Sequence, residues 1–128
     1  MIEVLTTFHK AGWEQYGKRM VKTFLEYWPE EIKIHLYCEN VTTGLQDPRI
    51  IEHDIFDACP QIKHYLTQNN NDFNNGIRNG KRDFKYDAIK FCYKVFAQCH
   101  RIKKSTADTL IFIDADTCLL YTSDAADE

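Results

Sequence analysis

The sequence predicts an α/β fold built on a mainly parallel sheet with flanking helices. Three observations lead there. Short β-branched runs alternate along the chain with segments of helical period, the order that gives parallel strands joined by helical crossovers. The 128 residues, 44% of them apolar, are enough for one core and leave no room for a second. The run Leu110-Ile-Phe-Ile113 ends in two carboxylates one residue apart, Asp114 and Asp116, at what would be the carboxyl edge of the sheet.

The elements follow in order. Ile2 to Phe8 is short, apolar and β-branched, and is expected as the first, buried strand. His9 to Glu14 is expected to turn the chain, with Gly12 as the breaker. Tyr16, Met20, Val21, Phe24, Leu25 and Trp28 then recur on one helical face, and Pro29 ends that helix. Ile32 to Cys38 alternates apolar and polar residues, which predicts a strand with one better-buried face. Thr42 to Pro48 is a loop, Arg49 to His53 a short strand, and Phe56 to Leu66 a helix with Pro60 in its first turn.

Gln68 to Arg82 is polar and turn-rich, and is expected as a mobile loop whose Arg78, Lys81 and Arg82 close over a bound diphosphate. A long helix is predicted from Tyr86 to about Lys103, with Ala88, Phe91, Cys92, Val95, Cys99 and Ile102 as its core face. Asp87, Lys90, Lys94 and Arg101 fall on the opposite, polar face. The final strand is expected over Thr109 to Asp114. Ligands in such sheets bind beyond the strand carboxyl ends, where Thr6-Thr7-Phe8 and Asp114-Ala115-Asp116 both arrive.

Formal net charge is -3 for the whole chain. Without Asp124, Asp127 and Glu128 the remainder carries 16 acidic and 16 basic groups, which gives no electrostatic case for nucleic acid or an anionic membrane. Cys38, Cys59, Cys92 and Cys99 are scattered, with no zinc spacing, and Cys92 and Cys99 read as small buried thiols. With no leader and no apolar run near the ~20 residues of a membrane span, the expectation is no transmembrane segment and a reducing, cytoplasmic setting. His9 lies just beyond the first strand, within reach of the nucleotide edge, while His35, His53, His64 and His100 sit in strands or helices without matched partners, and none is assigned catalysis.

Two carboxylates in an Asp-x-Asp pair at a strand end supply hard oxygen ligands suited to Mg2+ or Mn2+, an ion that completes its shell with water and phosphate oxygens. Ile111-Phe-Ile-Asp-Ala-Asp116 resembles the Asp-x-Asp motif of nucleotide-sugar-dependent glycosyltransferases of the GT-A fold. The resemblance covers residues 1 to 117 and implies the Rossmann-like N-terminal half of such a domain. It implies that Asp114 and Asp116 hold the cation on the diphosphate of a nucleoside-diphosphate sugar, with Ala115 between them in the motif. It implies that Thr6, Thr7 and Phe8 approach the nucleoside, and that Lys94, with Asp87 nearby to orient it, meets the donor phosphates or sugar. The implied activity of the parent protein is transfer of that sugar to an unknown glycan, lipid or protein acceptor, the present chain lacking turnover.

Two other readings stay open. Asp114-Ala-Asp-Thr117 is similar to the opening motif of haloacid dehalogenase-like phosphatases, although that motif belongs on a first strand and more than a hundred residues precede it here. A nucleotide-binding fragment without turnover is the non-enzymatic reading. Finally, Cys118 to Glu128 resembles one reading frame of a transposon-end sequencing adapter, so 1 to 117 is taken as the partial nucleotide-sugar-binding domain and 118 to 128 as a non-native tail.

Overall fold

The computed structural model describes residues 1–117. Four parallel strands form one sheet in the order β3-β2-β1-β6, with β1 at Ile2–His9, β2 at Lys33–Glu39, β3 at Ile50–Asp54 and β6 at Thr109–Phe112. The predicted α/β class with a parallel sheet is what the chain adopts. Its strand order is that of a Rossmann-like half, in which the direction of winding reverses between β1 and β6.

Helices cover both faces. On one face Met20, Val21 and Phe24 of α2 (Lys18–Tyr27) pack on Val4, Phe8, Ile34 and Leu36. On the other, Ile55 of α3 (Ile55–Ala58), Ile62 of α4 (Gln61–Gln68) and Ala97 of α5 (Ala88–Lys104) pack on Leu5 and Tyr37. Strand β2 is therefore buried on both faces: the Tyr37 hydroxyl lies 2.7 Å from His100 Nδ1 and His35 Nδ1 lies 2.8 Å from Arg101 Nη1, while His35 Nε2 has no hydrogen-bond partner among the described residues. Arg49 fastens the end of α2, donating to the carbonyls of Leu25, Trp28, Pro29 and Ile32 while lying over the Phe24 ring. Of these, Leu25 lies in the last turn of α2, where carbonyls lack intrahelical partners.

Several expectations are corrected. Strand β1 passes directly into α1 (Lys10–Gly12), a π-helical turn (Trp13–Gly17) and then α2, so no loop separates strand from helix. Gly12 is helical rather than a breaker; a Cβ there would lie 2.5 Å from the Tyr16 hydroxyl. The expected helix from Phe56 to Leu66 is two helices parted at Cys59 and Pro60. The Asn-rich segment, expected as a mobile loop, contains an antiparallel hairpin of β4 (Asn75–Arg78) and β5 (Lys81–Asp87). Asn79 and Gly80 turn it with φ of 54° and 73°, the left-handed pair that Asn-Gly adopts readily.

The core face of α5 is also displaced. Cys92, Ala97 and Arg101 are buried, whereas Val95, Ile102 and Cys99 are exposed. Arg101, expected on the solvated face, is enclosed with Glu3 and His35. Among the described residues no helix is long and apolar enough to cross a membrane.

Candidate functional site

A cavity of about 660 Å³ opens at the carboxyl edge of the sheet, at the β1–β6 reversal. Strand β1 contributes Thr7, Phe8 and His9, β2 contributes Glu39, and the segment after β6 contributes Asp114, Ala115 and Asp116. Tyr16 of the π-helical turn, the first half of α5 and the hairpin form the remaining walls, with Arg82, Phe84, Lys90, Tyr93 and Lys94 among their side chains.

The acidic pair lies just beyond β6 rather than within it. The Thr117 N–H donates to the Asp114 carbonyl at 3.0 Å, closing a tight turn across Ala115 and Asp116. Ala115 is buried, which anchors the turn, while both carboxylates remain open to solvent. Lys94 reaches across from α5 and donates to Asp114 Oδ1 at 2.6 Å.

The other predicted residues divide. Thr7 lines the cavity, and its hydroxyl donates to the Tyr37 carbonyl at 3.0 Å, so only its oxygen lone pairs are left for a ligand. Phe8 is 4% exposed and stacks on Trp13 at 5.0 Å, making it mainly a core residue with an edge at the cavity. Thr6 is fully buried one step further into β1 and does not line the cavity; its hydroxyl has no hydrogen-bond partner among the described residues.

Asp87 is not on the polar face of α5 but at its N-cap, where Oδ1 accepts the Lys90 N–H at 2.8 Å. Its Oδ2 accepts from Arg82 at 2.7 Å, and the residue is 1% exposed. Burial works against ionisation, but Arg82 and the Lys90 N–H outweigh it and hold the carboxyl below its ordinary pKa. Asp87 thus orients Arg82 and starts the helix that carries Lys94.

Sequence reasoning missed Glu39, Tyr93 and Phe84, and favoured core packing over base stacking for Tyr16. Burial pushes the Glu39 carboxyl above its ordinary pKa, while the Tyr93 hydroxyl and His9 pull it back. A carboxyl so perturbed in a cleft is a functional-site feature, and its place at the end of β2 was the available signal. Tyr16 belongs to the π-helical turn, a distortion frequent at functional sites, and lines the cavity.

Asp114 and Asp116 offer hard oxygen donors to a divalent cation. Among the described residues no group of three or more His, Cys, Asp or Glu side chains gathers as a metal site. Two carboxylates are at most part of a Mg2+ or Mn2+ shell, and Lys94 already donates to Asp114 Oδ1. Lys94 and Arg82 add positive charge to the same cavity.

No family model matches the chain, and no curated protein or solved structure matches it either.

Proposed function

We propose that this chain is the donor-binding part of a metal-dependent, GT-A-type glycosyltransferase, and that it binds a nucleoside-diphosphate sugar without turnover by itself. One observation carries the reading: at the sheet's reversal point, a two-carboxylate turn faces cationic side chains across a cavity large enough for a nucleotide. A diphosphate demands that combination of a partial metal shell and fixed positive charge.

In this reading Glu39 and Tyr16 lie on the nucleoside, Lys94 and Arg82 on phosphate oxygens, and Asp114 and Asp116 on Mn2+ or Mg2+. The ion, when bound, supplies Lewis-acid neutralisation of the leaving nucleoside diphosphate. The protein's own share is orientation: Asp87 fixes Arg82, and α5 holds Lys94 against the acidic turn. The acceptor is a glycan, lipid or protein engaged outside this donor cavity.

Calorimetry with UDP or GDP tests the reading. Binding is expected to require Mn2+ or Mg2+, to vanish with chelator and to be lost in Asp116→Asn. Binding of neither nucleotide, or binding indifferent to both treatments, rejects it.

A further inference from the structure

We propose that Phe84 is the platform on which the sugar ring of the donor stacks, an assignment that rests on the donor-site reading above. Three aromatics of the hairpin and the turn before it are strongly exposed: Phe73 at 67%, Phe84 at 62% and Tyr86 at 54%. The Arg78 guanidinium lies over both Phe73 and Tyr86, at 3.8 and 5.0 Å from their ring centroids. Among the described residues Phe84 has no such ring or cation contact, and of the three it alone lines the cavity.

Its exposure is built rather than incidental. Asn75 pairs with Asp87 and Ile77 with Arg82, so the single residue Gly76 stands opposite Asp83, Phe84, Lys85 and Tyr86. This wide bulge carries Phe84 outward, and the Asp83 side chain accepts the Lys85 N–H at 3.0 Å to close the backbone around it. Gly76 is what lets the bulge lie down: at φ 79°, a Cβ would come within 2.5 Å of the Asp83 carbonyl oxygen. Bulges beside binding sites commonly re-aim a side chain in this way.

The choice of sugar over base follows from the groups around the ring. A pyranose offers one face of C–H bonds and a rim of hydroxyls, so it calls for a flat apolar surface edged by polar groups. Phe84 is such a surface, and Asn75, Arg82 and Lys90 of the same cavity are such an edge. Asn75 donates its amide hydrogens to Asn70 and Asn71, which leaves its carbonyl oxygen to accept from a hydroxyl. Tyr16 and Glu39, at the sheet end of the cavity, already provide for a nucleoside.

The experiment compares UDP and GDP with their hexose conjugates, in Mn2+, on the chain and on Phe84→Ala and Phe84→Tyr. Phe84→Ala is expected to leave nucleoside-diphosphate affinity within about twofold and to weaken the matching sugar conjugate roughly three- to tenfold. Phe84→Tyr is expected to restore it. An unchanged melting temperature separates the effect from unfolding. Equal weakening of diphosphate and conjugate, or weakening of neither, overturns the assignment while leaving the donor site standing. Failure of the unaltered chain to bind any of these ligands removes the donor site and the platform together.

Discussion

The Lys94 ammonium lies 2.6 Å from Asp114 Oδ1, joining the first half of α5 to the turn that follows β6 across 20 residues of sequence. Both side chains are substantially exposed, at 36% and 52%, so the pair itself contributes at most about 1 kcal/mol to stability. Its significance is positional: it holds an ammonium group beside the acidic turn, where the proposed donor's diphosphate would lie. Lys94→Met is accordingly expected to leave the denaturation midpoint nearly unchanged. It is expected to weaken UDP or GDP binding in Mn2+ by about tenfold or more. Calorimetry beside a urea titration measures both, and a large stability loss with unchanged affinity contradicts this division of roles.

Asp87 and Arg82 make the opposite kind of pair, one partner 1% and the other 67% exposed in its side chain. Arg82→Ala leaves the buried Asp87 carboxylate with its cap bond alone, and Asp87→Ala strips the N-cap of α5; each is expected to cost about 1–2 kcal/mol. Asp87→Asn retains a capping oxygen and should recover much of that loss. Chemical denaturation of the three variants measures these losses; an Asp87→Ala variant as stable as the unaltered chain, or no recovery in Asp87→Asn, would falsify the capping role.

Two hairpin glycines separate strain from collision. Gly80 has φ 73° with nothing within 4 Å of a Cβ, so Gly80→Ala meets only the left-handed backbone penalty, about 1–2 kcal/mol. Gly76 combines φ 79° with the Asp83 carbonyl oxygen at 2.5 Å and the Asp87 N–H group at 3.0 Å. Gly76→Ala is therefore expected to cost distinctly more and to release the bulge that presents Phe84. Urea titrations give the order, and hydrogen exchange of the β5 amides shows whether the bulge has opened.

The sheet was legible in the sequence because its strands are apolar runs whose hydrophobic character does not depend on context. The acidic turn was legible for a related reason: Leu110 to Ile113 delivers it to a strand end. The helical face of α5 was not. Two stripes of similar period compete there, and hydropathy favours Val95, Cys99 and Ile102 over the one containing His100 and Arg101. The second stripe is inside because Arg101 meets Glu3 and His35, partners 98 and 66 positions away that no local pattern records. The hairpin was missed for another reason: its asparagines bury little, although Asn79-Gly80 carried the turn signal. Phe84 could not be picked out because its exposure comes from a register shift with β4.

That buried cluster gives the clearest pH dependence. His35 Nδ1 lies 2.8 Å from Arg101 Nη1 and 2.9 Å from His53 Nε2, while His53 stacks on Tyr37 and meets His100 edge-on. Burial lowers the pKa of His53 to about 4, with the neighbouring His35, Arg101 and His100 adding to the effect; His35 and His100 are lowered as well. Glu3 runs the other way: burial would raise it, but Ser105, His35 and Arg101 together hold it down. For His53 the unfolded chain binds the proton at its ordinary pKa near 6.5 and the folded chain only near 4. Between those values the unfolded state carries more protons, so stability is full above about pH 6.5 and declines as pH falls toward 4. The loss assigned to His53 is on the order of 2 kcal/mol, discounted for its partial exposure. His53→Phe keeps the stack on Tyr37 without a titrating ring, and should flatten urea midpoints measured from pH 7 to pH 4. An equally steep profile in that variant would move the proton uptake to another group of the cluster.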